Sequence, residues 1–191
     1  MEKKESIFKL GIKLLIITAV AGLILGFVFN VTKAPIADQE KSNNEAAMKE
    51  LIVTADKFEK KDITLTDGVL EVNEGKKGND VVGYTLKMST KGYGGQIQLM
   101  VGISKEGKLA GIKILSQSET PGLGANATLP SFYEQYKEKP ISKDLEVVKS
   151  GTSEDNQIQA LTGATITSKA VTTGVNEAIK FYQENLEGGS K

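Results

Sequence analysis

The chain contains no cysteine, no histidine and no tryptophan. Without cysteine it cannot form a disulfide, ligate an iron–sulfur cluster or build a zinc ribbon. Without histidine it can build neither a Ser-His-Asp triad nor a His-ligated haem. Any electron transfer by such a chain requires an organic cofactor. Net charge is also lacking: 24 Lys and Arg balance 24 Asp and Glu, so no basic surplus points to a nucleic-acid partner. The missing cysteines are compatible with either redox compartment. What remains is 191 residues of ordinary hydrophobicity, enough for one domain plus an appendage, and wholesale disorder is excluded.

The appendage is N-terminal. Leu14 to Phe29 read LLIITAVAGLILGFVF, and Leu10 to Ile12 extend the run past a single Lys13. The whole stretch reaches the roughly 20 apolar residues that cross a bilayer, and Lys13 is close enough to one end to snorkel. A secretory signal has a shorter apolar core and a small-residue cleavage site, which does not follow here. A buried soluble helix is rarely apolar on every face. Lys3, Lys4, Lys9 and Lys13 crowd one side of the span, while Lys33 and Lys41 on the other are mixed with Asp38 and Glu40. The positive-inside rule then puts the N-terminus in the cytoplasm and the C-terminal part outside, as a single-pass protein of the cell membrane. Gly22 and Gly26 form a GxxxG that Thr18 extends, either a helix-packing face or the ordinary glycine of a membrane span.

The expected organisation is a cytoplasmic tail (1–9), a transmembrane helix (10–31), a helical linker (32–60) and an extracytoplasmic domain (61–191). The helical linker rests on Ala46, Ala47, Leu51, Val53 and Ala55 among Glu and Lys, with Pro35 near its start; a solvated linker fits nearly as well. Beyond Asp62 the pattern becomes short β-type runs at Ile63–Leu65, Val69–Val72, Val81–Met88, Gln96–Ser104 and Leu109–Leu115. Gly107 marks a hairpin turn between the last two. Pro130–Lys137 reads as a short helix and Leu145–Val148 as a further strand. Val171, Val175, Ala178, Ile179 and Tyr182 recur at helical spacing, and Gly188-Gly189 ends the pattern. The fold class is therefore α+β: one N-terminal transmembrane helix, then a mostly antiparallel sheet with a long C-terminal helix packed on it.

Three loops hold residues suited to chemistry. Lys91-Gly-Tyr-Gly-Gly95 allows close backbone approach and offers Tyr93 for stacking, or is a plain turn. Glu119-Thr-Pro-Gly-Leu-Gly124 is stiff and displays backbone N–H groups beside Leu123, suited to a heterocycle or simply to a structural turn. Leu161-Thr-Gly-Ala-Thr-Ile-Thr-Ser168 enters the last helix, with Thr167 or Ser168 as the natural N-cap. A phosphate is favoured at such a helix start, next to the Thr165 hydroxyl; a capped helix after a tight turn is the plainer reading.

LTGATITS resembles the S/T-G-A-T flavinylation motif of the FMN-binding domain family, and ETPGLG is similar to a second segment of that family. With GYGG and the single span, the order of segments resembles the G subunit of Rnf-type electron-transport complexes over nearly the whole chain. The resemblance implies FMN esterified through its phosphate to Thr165 by a dedicated flavin transferase. It implies flavin contacts from Thr162, Gly163, Ala164, Thr167, Glu119, Thr120, Gly122, Leu123 and Tyr93. It also implies an electron relay between ferredoxin and NAD in an ion-translocating membrane complex, with other membrane subunits as partners, a second FMN-carrying subunit among them. Where the family often has an acidic residue three positions before the motif, this chain has Gln159, and the nearest acid is Asp155. The C subunit of the sodium-pumping NADH:quinone reductase carries the same motif, typically on a longer chain. A cofactor-free anchored scaffold and a free-standing extracytoplasmic flavin reductase are the other readings.

Overall fold

The computed structural model describes residues 7–66, 68–151 and 154–187. Lys3, Lys4 and the Gly188-Gly189 stop lie outside the described residues. The chain divides into two compact units, Met1–Asn43 and Asn44–Lys191. Helix α1 runs from Ile7 to Leu51 and is long and apolar enough to cross a membrane. In the first unit its large apolar side chains, among them Leu14, Ile17, Leu23, Leu25 and Phe27, are exposed on every side, the condition of a helix built for lipid. The span and the start of the expected linker form one continuous helix, and α1 carries Pro35 inside it. Proline removes one N–H there, and the surrounding Ala, Gln, Glu and Lys are strong helix formers that propagate past it.

The linker expected over 32–60 is helical only to Leu51. Ile52, Val53 and Thr54 are β-branched and disfavour another turn, and Lys57–Lys60 then forms strand β1. Strands β2 (Val69–Lys77), β3 (Asp80–Lys91), β4 (Gln96–Ser104) and β5 (Leu109–Ser116) follow, and the sheet is antiparallel in the order β1-β2-β3-β4-β5. Ile63–Leu65, expected to be its first strand, is irregular. Lys57–Lys60 already occupies the edge of β2, opposite Asn73–Lys76. The short helix expected over 130–137 is an α-helical turn, α2 (Pro130–Tyr133), running into a 3-10 turn (Glu134–Tyr136). Strand β6 (Glu146–Val148) pairs in parallel with β7 (Gln157–Gln159), which no sequence pattern marks. Helix α3 spans Thr165–Asn185.

The period-2 pattern of the strands sends alternate side chains to two buried faces. On the front, Leu86, Met88, Ile97, Leu99, Val101 and Ile103 meet Val171, Val175, Ala178, Ile179 and Tyr182 of α3 in one core. Burying each Val, Leu, Ile or Met side chain among them stabilises the fold by about 1.5–3 kcal/mol. On the back, Met100 packs with Ala47 and Met48 from the last turns of α1, with Leu51, Phe58 and Leu115 around them.

Four glycines make that close packing possible. Gly75 faces Gly83 across β2–β3, and Gly102 faces Gly111 across β4–β5. A Cβ at Gly102 would lie 2.8 Å from Leu51 Cβ, and one at Gly83 would lie 2.9 Å from Ile52 Cδ1. The glycines thus form a trough that seats Leu51 and Ile52. Gly102→Ala is expected to destabilise the second unit by about 1–3 kcal/mol through overpacking. The gain from a stiffer unfolded chain, under about 1 kcal/mol, does not offset this. Urea unfolding of the full chain in detergent measures it, and an unchanged midpoint would mean Leu51 is not pressed on the sheet.

Burial also ties the stability of the fold to alkaline pH. Tyr136 is fully buried, with its hydroxyl 2.7 Å from Thr172 Oγ1, and burial holds its phenol well above 10.0. Tyr84 and Tyr182, edge to face at 5.6 Å, are raised mainly by burial as well. A pKa raised in the folded state means stability that is complete below the unfolded value of 10.0 and declines as pH rises past it toward the folded values. Thermal melts on either side of that pH should show a fall in Tm, and Tyr136→Phe should weaken its pH dependence.

Candidate functional site

The three loops meet at one buried carboxylate. Glu119 is only 6% exposed. Its Oε1 accepts the Gly94 N–H at 2.9 Å, and its Oε2 accepts the Thr167 hydroxyl at 2.5 Å. Its own N–H donates to Gln117 Oε1 at 2.6 Å. The GYGG loop, the ETPGLG loop and the first turn of α3 are thereby joined through a single side chain. The glycines around it leave no room for a side chain. A Cβ at Gly92 would fall 2.3 Å from Glu119 Oε1, one at Gly94 2.2 Å from the Ser118 carbonyl, and one at Gly124 2.5 Å from Thr167 Oγ1.

The threonine motif is a turn followed at once by a helix. The Ala164 N–H donates to the Leu161 carbonyl at 3.0 Å, which closes a four-residue turn with Gly163 in its third place. Gly163 has φ +74, as a type II turn requires there, and glycine adopts it without strain. Ser168 braces the turn from inside the helix: its Oγ accepts the Leu161 N–H at 2.9 Å and donates to the Ala164 carbonyl at 3.0 Å. Thr162 and Gly163 are exposed, Ala164 is buried, and Thr165 is half-buried as the first residue of α3.

The expected capping is not what forms. Ala164 occupies the N-cap position, and among the described residues no side chain caps α3. Thr167 is drawn instead to the Glu119 carboxylate and Ser168 into the turn. Among the described residues, the first turn of this 21-residue helix therefore keeps backbone N–H groups without a side-chain acceptor, and it has no acidic residue. Free N–H groups and the positive end of the helix dipole favour an anion at that spot, so a phosphate on Thr165 fits the residues present.

Large apolar side chains lie open around it. Tyr93 is 73% exposed, Leu123 43% and Ile166 58%. Leu123 Cδ2 reaches the Gly163 turn, where a Cβ would be only 3.0 Å away. Thr120 and Gly122 serve the loop through their backbones. The Thr120 carbonyl accepts the Leu123 and Ala125 N–H groups, and the Gly122 carbonyl accepts Asn126 Nδ2 at 3.1 Å. Sequence reasoning missed Ile166. Its signal is an isoleucine set just off the buried stripe of α3. Among the described residues no cluster of three or more acidic groups is placed to hold a metal ion. An open groove of about 770 Å³ by Leu51, Ser104 and Tyr133 shares no residue with this site.

Residues 92–180, which hold all three loops but for Lys91, match the FMN-binding domain family. The chain is 41% identical to the G subunit of the Na(+)-translocating ferredoxin:NAD(+) oxidoreductase complex of Acetobacterium woodii, over 96% of this chain and 98% of that one. It is 40% identical to the G subunit of the proton-translocating ferredoxin:NAD(+) oxidoreductase complex of Clostridium ljungdahlii, over 93% and 92% of the two chains. A crystal structure of the C subunit of the Na(+)-translocating NADH-quinone reductase of Parabacteroides distasonis shares the fold, with a TM-score of 0.59 at 18% identity over 77% of this chain and 94% of that one. With similarity along nearly its full length, the chain belongs to the G-subunit family of the Rnf ion-translocating oxidoreductase complexes.

Proposed function

We propose that Thr165 carries FMN as a phosphoester, which makes this chain the flavin relay of an ion-translocating ferredoxin:NAD oxidoreductase complex. One observation carries the reading: Thr165 opens α3, a helix without a side-chain cap, on a turn joined to the other two motif loops through Glu119. Membership of the family supports an FMN-binding electron-transfer subunit of a redox enzyme complex. Identity of 40–41% along nearly the whole chain to G subunits of ferredoxin:NAD(+) oxidoreductase complexes favours the ferredoxin:NAD reading.

Esterification needs an activated phosphate, and a flavin transferase using FAD supplies one. In such a transfer the Thr165 oxygen would replace AMP on the flavin phosphorus as the pyrophosphate P–O bond breaks, and the hydroxyl proton would pass to a base of the transferase. The linkage lies at the ribityl phosphate, away from the flavin ring. When bound, the flavin supplies the capacity to accept and release electrons. The residues of this chain do the rest: α3 offers N–H groups to the phosphate, Tyr93, Leu123 and Ile166 offer apolar surface to the ring, and Glu119 holds their loops together. The basic residues before the span and the mixed charges after it support an extracytoplasmic position for this domain. There a covalent tether prevents loss of a cofactor that is not replenished. The other membrane subunits, a second FMN-carrying one among them, are its expected partners.

Mass spectrometry of the tryptic peptide between Lys149 and Lys169 tests the linkage. A phosphoester-linked FMN increment at Thr165 is expected. An unmodified peptide from protein matured with the transferase would overturn it.

A further inference from the structure

Strand β7 leads directly into the turn that presents Thr165. One edge of β7 is paired with β6: the Glu146 N–H donates to the Asn156 carbonyl at 2.9 Å and the Ala160 N–H to the Val148 carbonyl at 2.8 Å. Among the described residues no strand lies along its other edge. Side chains of the 3-10 segment and just beyond serve that edge instead. Gln135 Oε1 accepts the Gln159 N–H at 2.8 Å, and Gln135 Nε2 donates to the Gln159 carbonyl at 3.3 Å, shared with the Ser131 carbonyl at 3.4 Å. Lys139 Nζ donates to the Gln157 carbonyl at 3.1 Å. One primary amide thus offers Gln159 both the acceptor and the donor that a neighbouring strand would offer.

The support behind Gln135 is anchored in the core. Phe132 and Tyr136 flank it and are fully buried, and the Tyr136 hydroxyl meets Thr172 of α3 at 2.7 Å. Helix α3 is the element that begins at Thr165. Both ends of the acceptor turn are therefore referred to one helix. The far end is its first residue, Leu161 is held through Ser168, and the near end at Gln159 is held through Gln135.

We propose that Gln135 is a positioning residue for modification at Thr165: its amide fixes the β7 end of the acceptor turn before the transferase binds. This rests on the reading of Thr165 as the flavin acceptor. A turn that arrives ordered spares the enzyme the entropy of ordering it at encounter. Thr165 itself stays on α3 when the clamp is lost, so the loss is felt in binding rather than in the chemical step.

The test uses the full chain in detergent, made in cells without a transferase, then modified with purified transferase and FAD. Covalent flavin is followed by in-gel fluorescence. For Gln135→Ala the KM for the protein substrate is expected to rise roughly five- to tenfold with kcat nearly unchanged, the scale of one or two lost hydrogen bonds. Gln135→Glu keeps the acceptor but not the donor and should fall between the two, and it serves if the alanine variant fails to fold. In the unmodified protein, hydrogen exchange at the Gln159 amide should quicken in Gln135→Ala while the α3 amides keep their protection. A KM at or below the wild-type value would overturn the inference, and a lowered KM would mark the freed edge as a docking strand. A wild-type chain that takes no flavin would overturn the Thr165 reading and this one with it, whereas a modified wild type with an unaffected Gln135→Ala would overturn this one alone.

Discussion

Thr165→Val is expected to abolish covalent flavin and leave the domain folded. Valine copies the shape of threonine and removes only the hydroxyl. Thr165 is half-buried at the first position of α3, and among the described residues no side-chain hydrogen bond involves it, so nothing structural is lost with its oxygen. A substitution of that kind shifts stability by within about 0.5 kcal/mol. Two measurements check the two halves of the expectation: in-gel flavin fluorescence after maturation with the transferase, and a thermal melt. Thr165→Ser keeps a hydroxyl on the same backbone and should keep the flavin. Fluorescence retained in the valine variant would move the attachment point elsewhere, and Thr167, Thr162 and Ser168 are the nearest hydroxyls in sequence. Thr167 is a poor substitute, being 2% exposed with its hydroxyl committed to Glu119.

That distinction between Thr165 and Thr167 marks the limit of what the sequence discloses. Periodicity alone brings out β2 to β5 and the buried face of α3, because each rests on a repeated local pattern of side chains. The strand at Lys57–Lys60 is hidden by its charges: KFEK reads as helix or linker until its pairing with Asn73–Lys76 is known. Strand β7 is three residues long and has no pattern to detect. The threonine motif, the two glycine loops and their order are all legible, yet their union is not. The bond between Glu119 and Thr167 spans 48 residues, and only the fold brings the two together. Local propensity argues for Thr167 or Ser168 as a helix cap, and tertiary partners override it: a buried carboxylate for one, the Leu161 N–H for the other. The row of flavin contacts that the resemblance implies is thereby divided into residues at the surface, such as Tyr93 and Leu123, and a brace beneath them.

The brace yields the second large effect. Glu119→Ala removes the acceptor of both the Gly94 N–H and the Thr167 hydroxyl at a position that is 6% exposed. Each group left unpaired in such a place costs about 1–3 kcal/mol, so a loss of about 2–6 kcal/mol is expected, with a fall in Tm to match. The glycine loop and the start of α3 then move independently, and flavin content after maturation should fall with stability. Glu119→Gln separates geometry from charge. Its Oε1 still accepts the Gly94 N–H, and its Nε2 donates to Thr167 once that hydroxyl turns from donor to acceptor. Its Tm and flavin content should therefore lie close to the wild type. If the two variants fell equally, the negative charge would be what the site needs, with the first turn of α3 as the positive end it answers. If neither fell, the three loops would be held by their own turns, and Glu119 would be a neighbour of the site with no part in building it.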